Sequence, residues 1–452
     1  MGVHHNQLFT YAAVLSGLEV GNRRVIFMQK DDSSDDFADR RRDCTEDQLA
    51  LGLKPGFGLL VVVTIIFSAI VRAAYLAAGD GSWETLVDFH VFYISGLLVR
   101  DGLIDNAYSL EKMFEAQNAF AGSKSFMPWT YPPPFNLIVG SLATLPFVTA
   151  YIVFVLGSYI VYVLCLRLLS SNAFAFSIWA CLPASLVMVI CGQNGFLTSA
   201  IIGLFSFLYV RSSAWAGAVL GLMIIKPHLA VGVGIWLLFR MEIRTLLIAG
   251  AVSFMLCAIA TLTMGPSVWT SFMGGVAEAG VFLKEGYYPL YRMTSIYAGM
   301  RSGGVQSQLS MTIQLAFAAC AIYVIFLAAR HIADQRTGLG LAIAGSFFIS
   351  PYIYDYDLPM LAVALTLLWP RLSETATART LVSLIVMLWV AGACGILSFL
   401  LSYWWTGDPS PQKFALGWLP MLGIVSIVLV KLQVPAGRVS AKVVNCGDGL
   451  KI

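Results

Sequence analysis

Apolar stretches recur from Phe57 to Val430 with no long polar linker between them, so the chain reads as one membrane domain rather than a string of soluble ones. The first stretch runs from Phe57 to about Gly79. Others lie at about 148–168, 172–191, 195–211, 213–225, 228–240, 245–264, 308–329, 337–350, 358–370, 380–403 and 413–431. Together they predict an all-α polytopic membrane protein with about 12 transmembrane helices occupying residues 56–432.

Two segments break the apolar pattern. Residues 80–134 turn polar and aromatic, with helical spacing near Phe89–Arg100 and Ser109–Ala121 and then a rigid Tyr131-Pro132-Pro133-Pro134. They predict a long, structured first extracytoplasmic loop, and 265–306 a later one. Phe135–Phe147 is apolar but too short to cross comfortably. If it is a half-helix, then Arg167, Arg211, Arg240, Arg244, Arg330, Arg336, Arg371, Arg379, Lys431, Arg438 and Lys442 all face the cytoplasm, as the positive-inside rule requires. The same choice brings Asp88, Gln193-Asn194, Lys226-Pro227-His228, the loop 265–306 and Asp355-Tyr356-Asp357 to one outer face. Prolines at 227, 351 and 359 break the flanking segments, as happens where backbone lines a polar cavity within a membrane.

Composition agrees: 58% of the 452 residues are apolar and only 12% charged, with a mean hydropathy of +0.78, which excludes a soluble enzyme. The net charge of +3 carries no concentrated basic surface, so no nucleic-acid partner is expected. Six of the eight cysteines lie inside apolar runs (165, 181, 191, 257, 320 and 394) and read as packing residues; Cys44 and Cys446 lie in polar ends. Residues 1–55 carry mixed charge and no apolar run of signal-peptide length, and read as a disordered cytoplasmic tail with Met28 as an alternative start; 433–452 read as a second cytoplasmic tail.

The candidate chemistry lies in four places. Asp88, set among aromatic and aliphatic neighbours, fits a general base or a simple helix N-cap. Lys226 sits within an apolar stretch, where an ionised lysine costs on the order of 2.5–3.5 kcal/mol; a proline break lets it point into a pocket beside His228, suiting a phosphate or carboxylate ligand, or else it snorkels. Arg292 follows the aromatic run Tyr287–Tyr291 and fits a sugar or an anion, though interfacial aromatic belts look similar. Asp355 and Asp357, beside Tyr352, could hold sugar hydroxyls, a divalent cation or protons. Gln193 and Asn194 could donate neutral hydrogen bonds or form an ordinary turn.

In order along the chain, Asp88-Phe89, Ala107-Tyr108, Tyr131-Pro132-Pro133-Pro134-Phe135, Leu145-Pro146-Phe147, Gly192-Gln193-Asn194-Gly195, Lys226-Pro227-His228 and Pro351-Tyr352 to Asp355-Tyr356-Asp357-Leu358 resemble glycosyltransferase family 87 over about residues 57–370. The resemblance implies the C-type membrane glycosyltransferase fold and an inverting hexosyltransferase, with mannose as the sugar. It implies a polyprenyl-phosphate sugar donor, a lipid or glycan acceptor, and Asp88 as catalytic base. Lys226, His228 and Arg292 become candidates for the donor phosphate. Tyr131, Gln193, Asn194, Tyr352, Asp355 and Asp357 become candidates for the rest of the substrate. Mannosyltransferase members carry histidines after the Ser-Pro pair of the late motif, where this chain has Tyr352, Asp355, Tyr356 and Asp357. A cationic phosphate site makes a metal unnecessary, so neither metal nor cofactor is expected. The expected site is the extracytoplasmic face of the plasma (inner) membrane, with both termini cytoplasmic. The competing reading is a secondary transporter using the outer-face carboxylates; clustering of the polar groups at one face and the lack of an internal repeat oppose it.

Overall fold

The computed structural model describes residues 55–78, 86–122, 126–170, 172–407 and 414–432. The tails expected at the two ends, with Cys44 and Cys446, lie outside the described residues, as do parts of the expected first outer loop.

Every apolar stretch read from the sequence coincides with a helix or helix pair. Within hydrocarbon each backbone N–H and C=O must be satisfied inside its own segment, and an apolar run meets that requirement as a helix. Gly56–Ala78, Phe147–Leu169, Ile243–Met264 and Ser307–His331, of 22 to 25 residues, are long and apolar enough to cross a membrane. Two further candidates are bent pairs: Phe174–Ala180 with Leu182–Cys191, at 57°, and Ala378–Gly392 with Cys394–Thr406, at 71°. The first bend falls at Cys181, two residues before Pro183, which lacks the N–H needed to continue the ladder. Gly195–Val210, Ala216–Ile225, Pro227–Phe239 and Trp418–Leu432 are shorter. Among the described residues, membrane-length helices therefore number four, or six with each bent pair taken as one, against the twelve expected spans. Hydropathy alone does not register where a turn or a proline divides a run.

The outward faces are those of a membrane protein. Only 11% of the apolar window of Ile243–Met264 is buried, and Phe254, Leu262 and Trp405 are largely exposed, a surface that hydrocarbon covers without cost. Ile243–Met264 packs instead through small contacts with Ala216–Gly221, where Ser253 Oγ donates to the Gly221 carbonyl at 3.0 Å.

The described part of residues 80–134, expected to form the first outer loop, is structured. Helices Asp88–Arg100 and Leu110–Ala121 occupy the predicted positions. Buried Gln117 pins the chain beyond them, donating to the Met127 carbonyl (2.6 Å) and accepting from its N–H (3.1 Å). Trp129 donates to Asn136 (3.1 Å), Asn136 to the Tyr108 hydroxyl (3.0 Å), and Tyr108 to the Tyr131 carbonyl (2.9 Å). The ambiguous stretch forms helix Pro133–Leu142, whose ten residues make about 15 Å, half a hydrocarbon core. It packs on Asp88–Arg100, where Arg100 donates to the Ala143 carbonyl at 2.7 Å.

No regular strand occurs among the described residues, yet one extended contact matters. Thr294 N–H donates to the Ile353 carbonyl at 2.9 Å, and Met293 and Tyr354 form an isolated antiparallel bridge. This joins the loop carrying Arg292 to the one carrying Asp355 and Asp357.

Candidate active site

The site begins at a three-residue break between helices, Gly192 to Asn194. Leu182–Cys191 ends at Gly192, whose φ of 64° is left-handed and whose N–H returns to the Met188 carbonyl at 2.8 Å. Gly195 opens the next helix directly against the Tyr356 carbonyl, and an added Cβ there would collide with that oxygen. Gln193 and Asn194 are held between these glycines. Gly195→Ala should lower stability by about 1–3 kcal/mol by forcing the 355–357 turn away. Thermal unfolding in detergent checks this against Gly157→Ala, where nothing lies within 4 Å of an added Cβ.

Asp88 is the first residue of its helix, where the positive end of the macrodipole favours a carboxylate. His90, two residues on, accepts the Val87 N–H at Nδ1 (3.2 Å). Burial, and then the charge of Arg72, push His90 down to about 4, so the neutral ring keeps that lone pair free to accept. Asp88 Oδ1 accepts from Gln193 Nε2 at 2.7 Å, and Asp88 Oδ2 has no hydrogen bond among the described residues. Gln193 Oε1 in turn accepts from the Tyr131 hydroxyl (2.7 Å) and the Asn194 N–H (2.9 Å). Burial, then the charges of Asp88 and Asp357, hold Tyr131 well above the usual phenol range, so it remains a donor.

Lys226 lies between two short 3₁₀ turns, and Pro227 after it confines its backbone to a non-helical conformation (φ −152°, ψ 66°). Its Nζ is 2.6 Å from Asp357 Oδ1 and 3.4 Å from Asn194 Oδ1. Arg292 grips Asp355 in a fork, Nη2 to Oδ1 at 2.9 Å and Nε to Oδ2 at 3.2 Å, and Nη2 lies 3.3 Å from Cys191 Sγ. The Tyr356 ring is near both cations, its centroid 5.0 Å from Lys226 Nζ and 5.3 Å from Arg292 Cζ, and Tyr354 stacks on it at 4.9 Å. The turn Asp355–Asp357 thus presents two carboxylates and a ring to two cations.

Asp88, Tyr131, Gln193, Lys226, His228, Arg292 and Tyr352 line one cavity of about 810 Å³. Phe272, Val276 and Leu283 of helix Ser267–Glu285 add apolar wall. Asn194, Asp355 and Asp357 are outside its lining. They stand behind it, almost fully buried, with Asp357 Oδ2 accepting the Tyr354 N–H (3.1 Å) and Asp355 Oδ1 the Tyr356 N–H (2.9 Å). Sequence reasoning offered these two carboxylates as substrate ligands; in the structure their oxygens are engaged by protein. It also passed over three residues: His90, which caps the helix carrying Asp88; Cys191, against Arg292; and Tyr288, whose buried hydroxyl lacks a partner among the described residues and which lines the cavity. His228 Nε2 likewise lacks one, and both residues pack edge-on against Tyr352, at 6.3 and 5.3 Å. The one signal for Tyr288 was its place in the aromatic run before Arg292. Among the described residues no three His, Cys, Asp or Glu side chains come together as a metal cluster.

The arrangement can take a proton at Asp88 and bind an anion near Lys226 and Arg292 within one partly apolar chamber. Among known proteins, the profile of glycosyltransferase family 87 matches residues 129–351. That range includes Tyr131, Gln193, Asn194, Lys226, His228 and Arg292; Asp88 precedes it and Tyr352–Asp357 follow it, so it is shorter than the resemblance read from the sequence. No curated protein and no solved structure matches. Residues 129–351, just under half of the chain, thus match glycosyltransferase family 87, and that family implies transfer of a sugar from a donor to an acceptor.

Proposed function

We propose that the protein is an integral membrane hexosyltransferase of the C-type fold, with about twelve spans once the four shorter apolar helices, Gln335–Ile349 and Pro359–Thr375 are added to the four long helices and two bent pairs. It moves mannose from a polyprenyl-phosphate donor to a lipid or glycan acceptor at the extracytoplasmic face of the plasma membrane, both termini being cytoplasmic. The observation that carries the reading is the shared cavity: one carboxylate with a free oxygen, Asp88, and two cations, Lys226 and Arg292, line the same chamber. Its volume of about 810 Å³ falls within the usual range for small-molecule sites.

The chemistry follows from the leaving group. The acceptor oxygen attacks the anomeric carbon from the face opposite the phosphate. A new carbon–oxygen bond forms as the sugar–phosphate bond breaks, and the bonding pair leaves on the phosphate oxygen. The acceptor proton passes to Asp88 Oδ2. Phosphate departs without a strong general acid, so one carboxylate suffices and the configuration inverts, whereas a glycosidase needs two flanking carboxyls. Lys226 and Arg292 stabilise the charge that develops on the phosphate. Asp357 and Asp355 act as their counter-ions, holding both cations before the donor arrives. His228 Nε2 and Tyr288 Oη, buried and unpartnered, supply hydrogen bonds to sugar hydroxyls.

The test is incubation of purified protein with radiolabelled polyprenyl-phosphate mannose, glucose, galactose and arabinose in the presence of a membrane lipid extract. Transfer from the mannose donor alone is the expected result. Transfer from another donor corrects the sugar. Absence of transfer from all four, where a control mannosyltransferase is active, overturns the donor class.

A further inference from the structure

We infer that Gln193 is a positioning residue for Asp88 rather than a ligand to substrate, with its amide locked in one orientation by Tyr131 and the Asn194 N–H. The inference rests on the reading of Asp88 as the base. Gln193 is 2% exposed and three of its contacts are short. Two of the partners admit only one polarity. The Asn194 backbone N–H can only donate, so the Gln193 atom facing it is the carbonyl oxygen; an ionised Asp88 can only accept, so the atom facing it is the amide nitrogen. Turning the amide over would set N–H against N–H at one end and oxygen against carboxylate at the other. Tyr131, itself a donor, adds a second hydrogen bond to the carbonyl.

This lock has a consequence at Asp88. With Oδ1 held by Gln193, rotation of the carboxylate is restrained and Oδ2 is the oxygen left for the acceptor proton. Gln193 lines the cavity, but its carbonyl oxygen is taken twice and one amide hydrogen is committed to Asp88. The aspartate is placed by its own helix and the glutamine by the Gly192–Gly195 break, so the hydrogen bond joins two independently built elements.

Two variants of the full chain separate this role from others. Gln193→Glu is nearly isosteric and keeps an acceptor for Tyr131 and Asn194 while removing the donor to Asp88; Gln193→Leu removes all three bonds. With polyprenyl-phosphate mannose as donor, both should lower kcat by about 10²-fold, the scale of a small misplacement of a catalytic group, with the donor KM within about threefold of wild type. In an Asp88→Asn background, Gln193→Leu should cost less than about threefold more, because its effect acts through Asp88. A raised KM with kcat preserved would make Gln193 a substrate ligand and overturn the inference. So would an equal loss in the Asp88→Asn background, which marks a general structural role. Normal activity of both Gln193 variants beside an inactive Asp88→Asn would overturn this inference alone; normal activity of Asp88→Asn would overturn the base itself.

Discussion

Replacing Asp88 with asparagine lowers kcat for sugar transfer by about 10²–10⁴-fold while donor binding and folding stay near wild type; this is the largest catalytic effect expected from one side chain. The range is that of general-base assistance, about 3–5 kcal/mol of barrier. Asparagine has nearly the same shape, and its oxygen can still accept from Gln193 Nε2, so the helix start and the cavity wall should persist. What disappears is the oxygen that takes the proton. Turnover and donor binding measured on the same preparation check the expectation, since a folded variant that binds donor and does not transfer has lost chemistry alone. Normal turnover would remove Asp88 from the mechanism and leave the carboxylate as a favourable charge at a helix N-terminus.

Lys226→Met should have the largest effect on stability and also weaken the donor site. The ion pair with Asp357 is 2.6 Å long and nearly dry, the side chains 5% and 0% exposed. Removing the lysine leaves an uncompensated carboxylate, for which about 3–5 kcal/mol is the usual cost. Removing both charges is far cheaper, because neither then needs the other. Lys226→Met combined with Asp357→Asn should recover most of the lost stability, the asparagine oxygen still accepting the Tyr354 N–H. Donor affinity should not recover with it, since the cation facing the cavity is still missing. Thermal unfolding in detergent reads the first quantity and the donor KM the second. A double variant that regains both would make Lys226 purely structural.

The pairing of Lys226 with Asp357 explains why the late motif could not be read in isolation. Two aspartates two residues apart suggest a ligand for hydroxyls or a cation. In the structure each is the partner of a residue far along the chain: Asp357 pairs with a lysine 131 positions earlier and Asp355 with an arginine 63 positions earlier. The Gln193–Asp88 hydrogen bond spans 105 positions. Periodicity reports neighbours within a turn or two, so none of these pairings has a local signature.

The places of the helices were legible in the sequence, because in hydrocarbon an apolar run satisfies its own backbone by coiling. So were the half-length helix after the proline run and the set of polar residues that had to be accommodated. How many helices cross in full was less legible, because a bend of 57° or 71° leaves the hydropathy of the run unchanged. Only the tertiary structure decided which polar residues face the cavity and which stand behind it. That division depends on the Met293–Tyr354 contact, which brings Arg292 onto Asp355, and on Gly195, which lets the Asp355–Asp357 turn approach the helix beside Asn194. Once those backbones are in contact, buried charges must pair, and the groups left over, Asp88 Oδ2 and the cavity-facing sides of Lys226 and Arg292, are the ones available to substrate.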